Sequence, residues 1–323
     1  MRTILALAVV LLPYVQGLDL NFEQLPGTDR VAESLFWDRD EHVLYYVDVL
    51  GAQVHRYDPR NKIRTSIKIP ETSVSLVVPI KGRVGEVIVA ANHDLYSVHW
   101  STRRIVKLRK PDNFKDKAIF GDGRVCVKGR LWINTYLLKG NKQFVEGAGS
   151  LYRIILHKDE RFSITKVLAN ATFANGIDWS EDNKHMFHVG TYSRKIYKYA
   201  IDVNGSIGKR EVIFDFKDHP HINGEPDGLT TDDHGNLIVA VHKGGSLLVV
   251  EPHTGELLNF LRIPLINPTG LEWGGADNRT LFIGTASEEL SQYYVEKNYL
   301  RDGSVLALRG PKKGPSSRKI VAE

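Results

Sequence analysis

Six segments of this chain share one pattern, in which a short apolar strand and a polar or glycine-containing turn precede a second strand rich in aliphatic and aromatic residues. The segments lie roughly 40 to 55 residues apart and begin at Glu33, Val74, Gly121, Asn175, Asp227 and Thr269. Most continue into a third strand, as in QVHRYD, SLYRIIL and KIYKYAID. Repeats of this length with three or four short strands are typical of propeller blades. The sequence therefore predicts an all-β fold, a six-bladed β-propeller.

The repeats also set the domain boundaries. No segment shows the sustained helical periodicity of a crossover helix, and a β-sandwich would not repeat one signature six times. We therefore expect one propeller domain over residues 18–308 and a basic C-terminal tail over 309–323. The stretch LDLNFEQLPG, residues 18–27, precedes the first repeat and alternates like a strand. Pairing of this stretch with the last blade would close the ring and protect an open edge.

The first 17 residues have the pattern of a secretory signal peptide. Met1-Arg2 is followed by an apolar run and then by Val15-Gln16-Gly17. The run is about 12 residues long, whereas a membrane-spanning helix needs about 20. We therefore expect a secreted, extracellular protein with no membrane partner. Three sequons, at Asn170, Asn204 and Asn278, are compatible with a glycoprotein.

Cysteine usage and charge restrict the function classes further. Cys126 is the only cysteine, so no intramolecular disulfide forms, and its strand-like setting predicts a buried, inert thiol. Part of the net charge of +5 comes from the tail sequence RGPKKGPSSRK, residues 309–319, which we expect to be solvated. The other basic residues are scattered and no recognition motif accompanies them, so no nucleic-acid partner is expected.

The six repeat starts predict a metal site. The innermost strand of each blade runs along the central channel, so six equivalent positions converge at one mouth. Glu33, Asn175 and Asp227 place two carboxylates and a carboxamide there, and these ligands suit a hard cation. Ca²⁺ is favoured, with Mg²⁺, Mn²⁺ or Zn²⁺ as alternatives. Asn-Gly and Asp-Gly pairs also commonly form turns, but the convergence of three such positions from different blades favours the metal site.

Several motifs resemble those of a known family. ESLFW, SLYRI, NGIDWS and PDGLTTDDHGNLIVA are similar to motifs of the SMP-30/gluconolactonase/luciferin-regenerating enzyme family, which includes regucalcin, and the resemblance extends from Glu33 to Leu308. It implies a six-bladed propeller with one divalent cation on its axis, held by residues that match Glu33, Asn175 and Asp227. It also implies hydrolysis of sugar lactones or related esters, with Asp227 as both metal ligand and candidate catalytic base.

The chain departs from the family at the predicted substrate contacts. Sugar lactonases of the family usually have Arg-x-Asn-Asp-Gly in the third blade, where this chain has Ile119-Phe120-Gly121-Asp122-Gly123. A family glutamate that helps bind sugar aligns near Lys139. A mouth lined by Ile119, Phe120 and Tyr136 would suit a more apolar ligand than a sugar lactone. The candidate substrate contacts are Ile119, Gly121, Tyr136 and His221.

Histidines and tryptophans complete the set of candidates. His219 and His221 lie on the loop before Asp227, where one of them could contact substrate or carry a proton, although exposed loop residues are the simpler interpretation. Trp37, Trp179 and Trp273 recur at the fifth position of their repeats. Packing between blades explains them better than substrate stacking.

The leading hypothesis is a secreted, divalent-cation-dependent hydrolase of the lactonase or esterase type, acting as a monomer on a small molecule. The alternative is a non-catalytic propeller that binds calcium or a small apolar ligand at the same mouth. A propeller that binds other proteins has less support, because such a protein does not need acidic ligands on its axis.

Overall fold

The computed structural model describes residues 21–110, 117–140, 143–159, 161–287, 302–310 and 312–323. Within these ranges the strands form six four-stranded antiparallel sheets. The first repeat strand of each sheet contacts those of its two neighbours, so the six sheets surround one central axis. The predicted all-β six-bladed propeller is thereby confirmed. The predicted signal peptide, residues 1–17, lies outside the described residues.

The first three blades each consist of four consecutive strands. Blade 1 contains β2 (Ala32–Asp38), β3 (Val43–Asp48), β4 (Gln53–Asp58) and β5 (Ile63–Lys68). Blade 2 contains β6 (Leu76–Pro79), β7 (Glu86–Ala91), β8 (Asp94–His99) and β9 (Arg104–Lys107). Blade 3 contains β10 (Ile119–Val125), β11 (Leu131–Tyr136), β12 (Gly149–Leu156) and β13 (Phe162–Ala171).

Blades 4 and 5 follow the same order, and blade 6 takes its outer strand from the N-terminal part of the chain. Blade 4 contains β14 (Ile177–Trp179), β15 (His185–Gly190), β16 (Lys195–Ile201) and β17 (Ile207–Asp215). Blade 5 contains β18 (Glu225–Thr231), β19 (Leu237–His242), β20 (Ser246–Val250) and β21 (Leu257–Arg262). Blade 6 contains β22 (Pro268–Gly274), β23 (Thr280–Thr285), β24 (Val305–Arg309) and β1 (Phe22–Gln24). A 3₁₀ helix, Phe216–Asp218, links blades 4 and 5, and no helix in the described part of the chain is long and apolar enough to cross a membrane.

The N-terminal strand closes the ring. β1 pairs antiparallel with β24, with Phe22 opposite Leu308 and Gln24 opposite Leu306. Blade 6 is therefore built from both ends of the propeller domain, which covers the edge that β24 would otherwise expose. The predicted pairing of the stretch before the first repeat with the last blade is confirmed.

The core lies between neighbouring blades. Because alternate side chains of a strand point to opposite faces of its sheet, each blade packs against two others. Trp37 stacks on Phe282 of blade 6 with ring centroids 5.7 Å apart, and Trp179 contacts Trp132 of blade 3 at 6.1 Å. All three repeat tryptophans are buried, as is the free thiol of Cys126. The predictions of tryptophans in the core and of a buried cysteine are confirmed.

The C-terminal segment packs on the propeller, which corrects the expectation of a solvated tail. The main-chain nitrogen of Ile320 donates to Pro79 O at 3.0 Å, and that of Val321 donates to Gly129 O at 2.9 Å. The side chain of Ile320 is only 1 % exposed. The prediction relied on the polar composition of residues 309–319 and ignored the apolar run Ile320–Ala322, which draws the segment onto blades 2 and 3.

Candidate metal centre at the mouth of the central channel

The innermost strands of four blades carry a β-bulge at equivalent positions. In β2 the register shifts between Glu33 and Phe36, and the corresponding shifts occur in β10, β18 and β22. A bulge places two residues opposite one on the partner strand and redirects their side chains. Side chains of a regular central strand would alternate between the two faces of its blade. The bulges therefore allow some of these side chains to point into the channel.

The glycine that follows the polar residue in several repeats has a separate role. A Cβ atom at Gly228 would lie 2.4 Å from the main-chain oxygen of Thr269 in blade 6. A Cβ atom at Gly176 would lie 2.3 Å from the main-chain nitrogen of Leu229 in blade 5. These distances are too short for any side chain. The polar residue thus faces the channel while the glycine lets the backbone of the next blade approach.

The mouth of the channel opens into a cavity of about 310 Å³. Five of the six predicted positions line it, namely Glu33, Gly121, Asn175, Asp227 and Thr269. In blade 2 the lining residue is Ser75, and the predicted Val74 is instead buried in the core. The repeat alignment was therefore one residue off in this blade.

The predicted substrate contacts divide into two groups. Tyr136 and Gly121 line the cavity, whereas Ile119 and His221 are not among its lining residues. The His221 side chain is exposed on its loop and contacts the ring of His219 edge-on, with centroids 5.9 Å apart. Phe120, expected at the mouth, is instead fully buried in the hydrophobic core.

Three carboxyl groups, those of Glu33, Asp122 and Asp227, line the cavity. Burial, with repulsion from Asp227 and Asp122, raises the pKa of Glu33 well above its ordinary value. Burial, with repulsion from Asp122 and Glu225, raises the pKa of Asp227 to about 8. Burial likewise raises the pKa of Asp122 to about 6. Negative charge is thus costly here unless a cation joins the group.

Asn175 is fixed among these carboxyl groups by bonds to its amide and its backbone. Its Nδ2 donates to Thr191 Oγ1 at 3.0 Å, and its main-chain oxygen accepts from Asn134 Nδ2 at 2.7 Å. A hydrogen bond from Asn175 also partly offsets the increase in the pKa of Asp227. The three predicted metal ligands are therefore neighbours in space, although they come from blades 1, 4 and 5.

Two residues of the site were missed in the sequence. Asp122 was passed over because Gly121 was taken as the equivalent position of blade 3, although Asp122-Gly123 repeats the pattern of Asp227-Gly228. His242, at the end of β19, also lines the cavity, and its Nδ1 lies 3.9 Å from Asp227 Oδ2. No sequence signal marked His242, since its position depends on the pairing of β19 with β18.

The donor set fits a hard divalent cation. Glu33, Asn175 and Asp227 would supply carboxylate and amide oxygens, the ligands that Ca²⁺ and Mg²⁺ prefer. Burial and repulsion from neighbouring carboxylates raise the pKa values of Glu33 and Asp227, so a bound cation would stabilise their charged forms. The nearby guanidinium of Arg124 is committed elsewhere, to Asp178 at 3.0 Å and Glu272 at 3.1 Å.

A second acidic group that could hold a metal lies outside the channel, where Asp29, Asp48 and His55 are buried with ligand atoms within 4.8 Å of one another. No sequence motif predicted this group. Here the negative charge already has partners, because Asp29 Oδ1 lies 2.9 Å from Arg64 Nη1 and 3.0 Å from His55 Nε2. Asp48 Oδ1 accepts from three main-chain nitrogens, including that of Gly51 at 3.0 Å. A structural ion-pair network accounts for this group.

Comparison with known proteins agrees with this geometry. The profile of the SMP-30/gluconolactonase/LRE-like region matches residues 31–287. The chain belongs to this family. It is 29 % identical over 263 residues to the putative sugar lactone lactonase YvrE of Bacillus subtilis, covering 81 % of this chain and 85 % of that protein. It is 28 % identical over 261 residues to 6-deoxy-6-sulfogluconolactonase of Pseudomonas putida, with the same coverage of both chains.

Among solved structures, the luciferin-regenerating enzyme superposes with a TM-score of 0.82 and 26 % identity, over 94 % of this chain and 99 % of the other. The family resemblance found in the sequence motifs is thus confirmed over most of the propeller. Relatives named as lactonases are hydrolases, and they are close to 30 % identical to this family member.

Proposed function

We propose that this family member is a divalent-cation-dependent hydrolase of lactones or related esters. The observation that carries the proposal is the convergence of Glu33, Asn175 and Asp227 in one buried, acidic cavity at the channel mouth. The lactonase names of two relatives support the reaction class. Ca²⁺ is the favoured ion on the basis of the oxygen ligands, with Mn²⁺, Mg²⁺ or Zn²⁺ as alternatives.

Each residue has a distinct role in this proposal. Glu33, Asn175 and Asp227 hold the cation, which when bound supplies a Lewis acid for the carbonyl oxygen and lowers the pKa of bound water. Asp227 also faces the cavity beside His242. We assign Asp227 as the base that takes a proton from the attacking water. Asp122 adds negative charge that favours cation binding.

The experiment separates binding of the cation from turnover. Purified protein is titrated calorimetrically with Ca²⁺ and Mn²⁺, and hydrolysis of a lactone and aryl-ester panel is followed with each ion. We expect Asp227→Asn to lower kcat by at least about 100-fold, whereas Asp218→Asn, on the 3₁₀ helix outside the cavity lining, should change neither measurement.

The outcome also decides between the two candidate functions. Cation binding without hydrolysis of any panel member would reject the enzyme and favour the non-catalytic binding propeller. That alternative has one observation in its favour, the loss of the family's polar contacts at Ile119 and Gly121. Absence of cation binding in the wild type, or full affinity in a Glu33→Gln, Asp227→Asn double variant, would reject the metal site itself.

A further inference from the structure

One wall of the mouth cavity is aromatic. Phe144 and Phe173 stack with centroids 4.2 Å apart and an interplanar angle of 22°. The ring of Tyr136 meets both edge-on, at 5.6 Å from Phe144 and 5.3 Å from Phe173. All three side chains line the same cavity as the candidate metal ligands. Aromatic rings give a large, rigid apolar surface at low conformational cost.

The aromatic wall lies next to the candidate metal centre. Phe173 is two residues before Asn175 in the chain, and Tyr136 ends the strand that pairs with β10, which carries Asp122. On the other side, Val31 and Val49 of blade 1 extend the apolar lining. A carbonyl held at the metal centre would therefore have apolar surface for its substituent within the same cavity.

Blade 5 contributes a group of ionisable side chains to the cavity lining beyond the predicted ligands. Glu225, His242 and Lys243 belong to blade 5 or directly follow its strands. The aromatic wall belongs to the junction of blades 3 and 4. The cavity thus has a charged side in blade 5 and an aromatic side at blades 3 and 4.

Gly121 keeps the aromatic wall open. A Cβ atom at this position would sit 3.5 Å from two ring carbons of Tyr136, which is ordinary van der Waals contact. Gly121 does not have a positive φ, so neither backbone conformation nor space demands a glycine. Its missing side chain leaves the Tyr136 ring uncovered towards the cavity, where any larger residue would lie against it.

We propose that the substrate carries an apolar alkyl or aryl arm next to its carbonyl, and that this arm binds against Tyr136, Phe144 and Phe173. This inference rests on the proposed function and specifies its substrate class as hydrophobic lactones or esters in place of polyhydroxylated ones. Burial of an apolar arm in a preformed cavity supplies the binding energy, and the few polar groups orient the carbonyl. Each methylene that is fully buried strengthens binding by up to about fourfold.

The test uses non-hydrolysable ligands, so that it does not depend on turnover. The Ca²⁺-loaded protein is titrated calorimetrically with γ-decalactam and with γ-butyrolactam, which differ by the alkyl arm. We expect γ-decalactam to bind at least about tenfold more tightly. Phe144→Ala should weaken γ-decalactam binding by about three- to tenfold, and Gly121→Asn should weaken it by covering Tyr136. Phe260→Ala, on the outer strand of blade 5, is the matched control and should have no effect.

Hydrolysis of γ-decalactone, γ-butyrolactone and D-glucono-δ-lactone is measured in parallel. The inference is overturned if the two lactams bind equally, or if folded Phe144→Ala and Gly121→Asn proteins both bind γ-decalactam as the wild type does. The proposed function fails separately if no lactone is hydrolysed. In that case tighter binding of γ-decalactam than of γ-butyrolactam would still support the aromatic wall as a ligand site.

Discussion

Asn134 Nδ2 donates a 2.7 Å hydrogen bond to the main-chain oxygen of Asn175, a candidate metal ligand. Because this bond fixes the orientation of the Asn134 amide, its Oδ1 faces His188 Nε2 at 2.9 Å and accepts from it. His188, Asn134 and Asn175 thus form a chain from the core between blades 3 and 4 to the channel. All three side chains are buried.

We expect this chain to set cation affinity, since partners that orient a ligand commonly change metal affinity by about 10- to 100-fold. Asn134→Ala removes the donor to Asn175 and should weaken Mn²⁺ binding by about tenfold in calorimetry. Asn204→Ala, exposed on a turn, is the control. Unchanged Mn²⁺ affinity in a folded Asn134→Ala protein would show that Asn175 needs no support from blade 3.

His188 makes stability depend on pH. Burial lowers the pKa of His188 from 6.5 to about 4. Between these values the unfolded chain binds the proton and the folded protein does not, so the free energy of unfolding should fall as the pH drops, by up to about 3 kcal/mol. Urea unfolding between pH 4 and 7 checks this. His188→Gln should reduce the slope, and Tyr199→Phe, whose ring lies 6.4 Å away, should keep it. An identical slope in His188→Gln would assign the acid sensitivity to other groups.

Removal of the cation should produce the opposite pH dependence. In the metal-free protein the raised pKa values of Glu33 and Asp227 mean that the folded state holds protons that the unfolded state has lost. The stability of the metal-free protein should therefore fall as the pH rises from the ordinary carboxyl range towards about 8. Below pH 6.5 the titration of His188 opposes this fall, and above pH 6.5 the fall should be seen alone. Thermal unfolding with EDTA and with Ca²⁺ tests this. The Ca²⁺-induced increase in Tm should grow with pH, by a few °C, and Asp227→Asn should reduce it. A constant Ca²⁺ effect from pH 6.5 upwards would contradict it.

The sequence allowed the ring, and the meeting of three candidate ligands at its channel mouth, to be predicted because both follow from repetition. Equivalent positions in six repeats must converge on one axis, which located Glu33, Asn175 and Asp227 without any tertiary information. The bulge in blade 3 limited this accuracy, because it brings two successive residues, Gly121 and Asp122, to the cavity. In blade 2, whose first strand has no bulge, the alignment placed Val74 at the position where Ser75 lines the cavity.

Other features depend on contacts between distant parts of the chain. The aromatic wall requires the loop that carries Phe144 to fold back onto Phe173, and no local pattern encodes that contact. The C-terminal segment bonds to backbone atoms of Pro79 and Gly129, more than half the chain away. Its polar composition predicted solvation, which was wrong because the propeller face supplies partners that composition does not reveal.

The C-terminal segment contacts Asn278, one of the three N-glycosylation sequons. We propose that the chain is exported, as its first 17 residues predict. Asn170 and Asn204 are exposed, whereas Asn278 is 5 % exposed and its Nδ2 donates to Pro315 O at 3.3 Å. A glycan on Asn278 would displace the segment. We expect glycans on Asn170 and Asn204 but not on Asn278 in protein secreted from eukaryotic cells, as measured by mass spectrometry of glycopeptides. Full occupancy of Asn278 in folded protein would contradict this, and an Asn170→Gln, Asn204→Gln variant should lose the mass shift.

Lys319 anchors the C-terminal segment to blade 1. Its Nζ lies 2.8 Å from Asp38 Oδ2 and 2.9 Å from Asp40 Oδ2, and the Asp38 side chain is 0 % exposed. Lys319→Met leaves this buried carboxylate without its cation, so we expect a loss of about 2–3 kcal/mol in the free energy of unfolding. The measurement is urea unfolding of Lys319→Met, Asp38→Asn and the double variant.

The double variant removes both charges and should be destabilised by less than the sum of the two single variants, because no unpaired charge remains in it. Lys312, which lies 3.3 Å from Asp232 Oδ2 and is 43 % exposed, offers a control in the same segment. The Asp232 carboxylate is also buried, but its Oδ2 keeps a second donor, Asn236 Nδ2 at 3.1 Å, so Lys312→Met should cost less than Lys319→Met. If the effects of Lys319→Met and Asp38→Asn simply add, the ion pair does not hold the segment. The anchoring must then come from Ile320 and the backbone bonds to blades 2 and 3.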